Sequence, residues 1–238
     1  MKNIFSALFV GVLIFSFSSC SADNINKNQS LNESQITEET SETTEISDFH
    51  SDISEVTETT ETEDTEQNNI LVAYFSLAGE QYSVGEVDEG NTSIIAHMIA
   101  EETDADLFEI EPVEAYPDTY DELLEISREE MENNARPEIS GYIENMADYD
   151  TIFIGYPIWW GDMPMIVYNF FESYDFKEKT VIPFCTHGGS GLAGTQSTIA
   201  DITGSSVSDG LAISGATAQN DRENAKNSVT EWLSNIMN

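Results

Sequence analysis

"YDTIFIGYPIWWGDMP", residues 149–164, joins two kinds of sequence at Pro157. Thr151 to Tyr156 form a continuous apolar run rich in β-branched and aromatic residues, the pattern of a strand covered on both faces. Beyond it, Trp159 and Trp160 stand side by side between a proline and a Gly-Asp pair. Neighbouring tryptophans on a loop cannot both enter one core. The stretch therefore predicts a buried strand whose end offers aromatic rings and pliable backbone to a flat, apolar object.

Working outward, apolar runs of strand length alternate with helical patterns. "ILVAYFS" (70–76) is a second buried strand, and "KTVIPFC" (179–185) a third. "DLFEIEP" (106–112) is shorter and more alternating, which suits an edge. "SVSDGLAIS" (206–214) holds a fifth strand. Between them, "NTSIIAHMIAEETD" puts Ile94, Ile95, Met98 and Ile99 on one helical face, and "DTYDELLEISREEMENN" is a helix with Asp118 as its N-cap. "MIVYNFFESYD" carries an apolar stripe from Ile166 to Tyr174. "GTQSTIADITG" is a short helix that Gly204 ends. The final helix spaces Val229, Trp232, Leu233 and Ile236 at helical intervals, which makes Trp232 a core residue. Five strands alternating with helices specify an α/β domain with a doubly wound parallel sheet over residues 70–238.

Ligands of such sheets bind beyond the carboxyl ends of the strands, where the strand order reverses. Three loops lie there. The first runs from Ser76 to "GNTS", with Gly90, Asn91, Thr92 and Ser93 opening a helix whose free N–H groups and dipole suit an anion. No Lys belongs to it, so it is not the nucleoside-triphosphate motif, and its hydroxyls and amides suit a monophosphate. Ordinary capping by Asn91 is the plainer reading. The second loop is the Trp pair. The third, "THGGSGLAGT" (186–195), is rich in glycine.

Together, "ILVAYFS", "GNT", "ADLFEIEP", "YPDTYDE", "ARPEI", "YDTIFIGYPIWWGDMP" and "KTVIPFCTHGGSG" make residues 70–238 resemble the flavodoxin-like family. The resemblance implies a sheet of order 2-1-3-4-5 and bound flavin mononucleotide (FMN). Matched residue by residue, Ser76, Asn91 and Thr92 fall on the phosphate loop. Pro157, Ile158, Trp159, Trp160 and Gly161 fall on the loop along one side of the isoalloxazine. Thr186, His187, Gly188, Gly189 and Ser190 line its other edge. One Trp is expected to face the ring while its neighbour turns into the domain or shields the site. The Gly161-Asp162 peptide resembles the family's contact with flavin N5. "GEQYSVGEVDE" (79–89) is an insertion relative to many relatives, placed to cover the flavin or gate access. His187 is the candidate catalytic side chain, able to donate a proton or bond the flavin edge; equally, only its backbone touches the flavin. Asp162, Asp118 and Glu89 are the acids expected to lower the flavin's potential. No metal site is expected.

The start, "MKNIFSALFVGVLIFSFSSC", reads as a secretory signal over residues 1–20. "FSSC" resembles the bacterial lipoprotein processing box, which makes Cys20 the lipidation site and anchors the exported protein to the cell membrane. A plain signal with an incidental Cys20 is the alternative. With Cys20 lipidated, Cys185 has no intramolecular partner and reads as a small buried residue, a redox thiol being the alternative. Residues 21–69 are Thr, Ser and Glu with few apolar groups, a disordered acidic tether that spans on the order of 40 Å. The formal net charge is −37. That excludes nucleic acid as a natural partner and favours a basic protein.

Two classes of function follow. One is an FMN-dependent redox protein, either an electron carrier or a reductase of quinones or similar small acceptors, fed by a nicotinamide or a redox partner protein. The other is a non-catalytic surface lipoprotein that binds a small ligand on the same fold.

Overall fold

The computed structural model describes residues 69–237. The signal segment, Cys20 and the tether up to residue 68 lie outside the described residues. Asn69, placed in the tether from sequence, belongs to the fold: its carbonyl accepts the N–H groups of Asp150 and Thr151 at 3.0 and 3.2 Å.

The buried runs do become strands. β1 (Ile70–Tyr74), β2 (Asp106–Glu109), β3 (Thr151–Pro157), β4 (Thr180–His187) and β5 (Leu211–Ser214) form a parallel sheet. Its order is β2-β1-β3-β4-β5, as the resemblance implies. β2 is the edge strand and is mostly exposed.

The fifth strand is broken. Ser206–Val207 pairs with Thr180 and Val181, and β5 resumes opposite Phe184. The gap lies opposite Ile182 and Pro183. Proline has no N–H to give a ladder, and the Pro183 carbonyl lies so close to Gly210 that a Cβ there would sit 2.7 Å from it. The chain therefore loops out over Pro183 before pairing again.

Among the described residues six α-helices cover the sheet: α1 (Asn91–Thr103), α2 (Tyr120–Glu132), α3 (Met165–Ser173), α4 (Thr195–Thr203), α5 (Gly215–Asn220) and α6 (Arg222–Ile236). Strand residues alternate between two cores. Val72, Tyr74, Phe153 and Phe184 pack with Ile95 and Ile99 of α1 and with Val229, Trp232 and Leu233 of α6. Leu71, Ala73, Ile152, Ile154 and Tyr156 pack with Ile166, Val167 and Phe170 of α3 and Ile199 of α4. Trp232 is a core residue as expected, and its Nε1–H donates to the Asp209 carbonyl at 2.9 Å. Among the described residues no helix is long and apolar enough to cross a membrane.

Two helix starts differ from expectation. Thr119, not Asp118, occupies the N-cap position of α2 but makes no side-chain cap bond, and the Tyr120 N–H is satisfied by Glu80 Oε2 at 3.1 Å. Gly90 precedes α1 with no side-chain cap of its own, and Ser76 Oγ accepts the Ser93 N–H at 3.0 Å. In both cases a residue distant in sequence does the capping, which frees Asn91.

Gly155 sits where β3 passes Phe184 of β4. A Cβ there would lie 2.2 Å from the Phe184 ring. Both groups are buried in mid-sheet, so neither can yield. Gly155→Ala is expected to destabilise the domain by about 1–3 kcal/mol, the range for overpacking a close-packed core, read as a lower urea unfolding midpoint at unchanged slope.

Candidate functional site

The three loops converge. Thr92 Oγ1 and Thr186 Oγ1 share a buried 2.8 Å hydrogen bond that joins the first turn of α1 to the end of β4. The Ile158 N–H donates to the Thr186 carbonyl at 2.9 Å, joining the Trp loop to the same point. Between the loops lies a cleft of about 320 Å³. Asn91, Pro157, Ile158, Trp159 and Gly161 line it, with Thr186, His187, Gly188, Gly189 and Ser190 from the third loop. Ser76 and Thr92 line a smaller recess that shares Asn91, Pro157 and Trp159 with it.

Gly90 does not line the cleft. It lets the first loop close: a Cβ there would lie 2.2 Å from Ser76 Oγ and 2.4 Å from the Leu77 carbonyl. Asn91 is the residue this closure presents. Its Nδ2 donates to Gln81 Oε1 at 3.4 Å, while its Oδ1 is buried without a donor. A buried acceptor left unpaired costs about 1–3 kcal/mol, so this cleft residue calls for a hydroxyl or N–H from a ligand. Ser93, expected beside it, turns away: its hydroxyl donates to Glu89 Oε1 at 3.4 Å and lies 3.3 Å from His97 Nδ1.

The two tryptophans divide as follows. Trp159 lines the cleft and is braced behind by Phe75 and Tyr116, with edge-to-face centroid distances of 5.4 and 5.5 Å. Trp160 is not in the cleft lining. It is 40% exposed, lies on α2, donates from Nε1 to Ser127 Oγ at 3.1 Å, and carries the Arg128 guanidinium 4.1 Å from its ring centroid. The cause is a tight turn. Trp159 and Asp162 exchange both backbone hydrogen bonds at 2.9 Å, and the central residues, Trp160 and Gly161, both have positive φ (54° and 81°). That conformation is costly for a bulky residue, and the hydrogen bond and cation–π contact hold it. Trp160 thus packs outside the cleft, and of the two neighbours Trp159 lines it.

In the third loop His187 lines the cleft, and its Nδ1 accepts the Gly189 N–H at 2.9 Å. Accepting there places the proton of the neutral ring on Nε2. Burial holds its pKa below the usual histidine value. Beneath it, burial pushes the Cys185 thiol up to about 12, so Cys185 is structural and not a redox thiol.

Several lining residues escaped sequence reasoning. Residues 79–89 fold into an antiparallel hairpin, Gly79–Gln81 with Gly85–Val87, and place Glu80, Gln81 and Tyr82 on the cleft. Tyr120 and Leu123 come from α2, and Gly215 from the start of α5. The strand-end rule, applied to the fifth strand as well, points to Gly215. None of the three expected acids lines the cleft. Asp162 accepts from Tyr168 OH and from the Met163 N–H, both at 2.8 Å, and Glu89 pairs with Arg222 at 3.1 Å. Asp118 meets the hairpin through its carbonyl. The acid on the cleft is Glu80. Among the described residues no Lys or Arg lines it, and no group of three or more His, Cys, Asp or Glu could hold a metal ion.

The flavodoxin family model matches residues 69–236. Among solved structures, a candidate flavoprotein from Bacteroides eggerthii DSM 20697 is 30% identical, with a TM-score of 0.57, covering 71% of this chain and 98% of that one. A candidate flavoprotein from Bacteroides uniformis ATCC 8492 is 31% identical, with a TM-score of 0.54, covering 68% and 97%. A flavoprotein from Lactobacillus acidophilus NCFM, in complex with FMN, is 23% identical over 65% and 97%, with a TM-score of 0.49. No curated protein matches.

The depressed His187 pKa sets a pH dependence. The unfolded chain protonates near pH 6.5, while the native ring resists. Stability therefore falls as the pH drops from about 6.5 towards the native group's lower pKa. The His187 ring signal is expected to titrate below 6.5 by NMR, and His187→Gln to reduce the loss of urea resistance over the same interval.

Proposed function

Since the chain belongs to the flavodoxin family, we propose that the cleft holds one FMN and that the protein is an electron-transfer flavoprotein. The observation that carries this is the unpaired Asn91 Oδ1 in a cleft formed by three strand ends. FMN has the complementary parts. Its ribityl hydroxyls can donate to Asn91. Its phosphate suits the first turn of α1, where backbone N–H groups and the hydroxyls of Ser76 and Thr92 stand in for cations. Its ring suits the space between Trp159 and the glycines of the third loop.

Bound FMN would supply reversible uptake of one or two electrons. The protein's own part is to bind, shield and bias. Trp159 and its aromatic backing exclude water from one ring face. Glu80 places negative charge on the cleft, which disfavours added electrons and lowers the potential. His187, neutral with its proton on Nε2, can offer that proton to an oxygen or nitrogen at the ring edge. A reductase of quinone-type acceptors fed by a nicotinamide, and a carrier served by a redox partner protein, both fit this site. The acid excess supports a basic partner surface. The signal-like start ending at Cys20 supports export and a lipid anchor in the cell membrane.

The test is reconstitution of the full-length protein with FMN, followed by anaerobic addition of NADH or NADPH. Yellow, stoichiometric binding is expected. Folded protein that binds no FMN at micromolar concentration would favour the small-ligand lipoprotein instead. Asn91→Ala is expected to weaken FMN roughly 2- to 10-fold, the worth of one neutral hydrogen bond. The same change should leave the ligand-free protein as stable or more stable, because it removes a buried orphan. Equal losses in both measurements would make Asn91 merely structural.

A further inference from the structure

A second hollow, of about 440 Å³, lies between α2 and the segments that flank it, and it shares no lining residue with the cleft. Its walls are largely apolar: Pro112, Val113, Ala115 and Pro137 from the flanking segments, and Ile126 from α2. Val113 and Ile126 are 54% and 42% exposed, so these apolar groups are covered by water and not by the fold. The volume is that of a small-molecule site.

One carboxylate is set among these walls. Glu130 is half-buried there, and its Oε2 accepts from Tyr116 OH at 2.9 Å. Among the described residues no Lys, Arg or His pairs with it, and burial raises its pKa. Arg136 lines the same hollow, but its guanidinium is engaged elsewhere. Nε and Nη2 donate to Glu172 at 2.9 and 2.6 Å, and Nη1 donates to the carbonyls of Asn134 and Ala135 at 3.1 and 2.9 Å. Glu114 and Glu138, both exposed, add negative charge to the lining. A carboxylate drawn partly out of water without a cation is unfavourable. An anion entering the hollow would meet three carboxylates, and a neutral apolar molecule would leave Glu130 unpaired. The complement of this lining is a cation on an apolar body.

We propose that this hollow is a second ligand site, separate from the cleft, and that it takes a small organic amine. The ammonium group pairs with Glu130, and the apolar body lies against Pro112, Val113 and Ile126. The Tyr116 hydroxyl already fixes the Glu130 carboxylate, so little ordering remains to be done when the amine arrives. The site is built from residues that take no part in holding FMN, and it stands whether or not the cleft binds a flavin.

The experiment titrates the full-length protein at neutral pH with phenethylamine, phenethyl alcohol and phenylacetate, which carry the same ring and differ in the charge of the end group. Binding is followed by amide chemical shifts. The amine is expected to bind saturably and roughly 5- to 10-fold more tightly than the alcohol, the worth of a charge-assisted hydrogen bond partly screened by water. The acid should bind more weakly than either. The shifted amides should centre on Val113, Ile126 and Glu130. Glu130→Gln, which keeps an acceptor for Tyr116, should bring the amine down to the level of the alcohol and leave the alcohol unaffected. The same change should leave the urea midpoint of the ligand-free protein equal or higher, because it removes an unpaired charge. Equal affinity for all three probes would overturn the site, as would parent-like amine binding in Glu130→Gln. Amine shifts centred on Gly188 and Gly189 would place the amine in the cleft and overturn it too. Failure of FMN reconstitution is a separate result and does not bear on these.

Discussion

The pairing of β3 with β1 on one side and β4 on the other is the constraint on which the rest depends. It runs continuously to the strand ends: Tyr74 lies opposite Gly155, the Phe75 N–H reaches the Gly155 carbonyl at 2.9 Å, and Pro157 lies opposite Thr186. Parallel strands in register must end together, so three loops leave the sheet at one edge. Close packing of Gly155 against Phe184 fixes how near those strands come. The cleft is what remains between loops that the sheet has forced to be neighbours.

Much of this was legible in sequence because it is periodic and local. Continuous apolar runs gave the strands, and the spacing from Val229 to Ile236 placed Trp232 in the core. What escaped was non-local. Ser76 caps α1 and Glu80 caps α2 across gaps of 17 and 40 residues. Such pairings leave no periodic trace, and without them Asn91 and Asp118 look like the natural caps. The division of Trp159 from Trp160 was hidden because it depends on two positive φ angles in one turn. Sequence suggests that freedom at Gly161 and conceals it at Trp160.

Electrostatics explains why the binding edge is built from neutral groups. From residue 70 onward the cations are Arg128, Arg136, Lys177, Lys179, Arg222 and Lys226. Arg136 pairs with Glu172, Arg222 with Glu89, and Lys226 with Glu101 and Glu102, while Arg128 covers Trp160. On a surface this acidic, a cation in the cleft would meet strong competition from nearby carboxylates. Backbone N–H groups and hydroxyls fixed by the fold do not migrate to them, and they cost no reorganisation when an anion arrives.

The same economy of anchoring holds α2 in place. Only Leu123 and Ser127 of this helix are buried, so its own apolar face cannot fix its position firmly. Its start is tied to the hairpin through Glu80, and its middle to the Trp loop through the Ser127–Trp160 bond and the Arg128 contact. Farther along, Glu130 Oε2 accepts from Tyr116 OH at 2.9 Å, and Tyr116 in turn backs Trp159. Burial raises the Glu130 pKa. The helix, the hairpin and the Trp loop are thus one polar-linked assembly around the cleft, resting on a sheet that supplies rigidity from below. The hairpin is thus tied to α2 through Glu80, and α2 to the Trp loop through Ser127, while Trp159 is braced by Phe75 of the core.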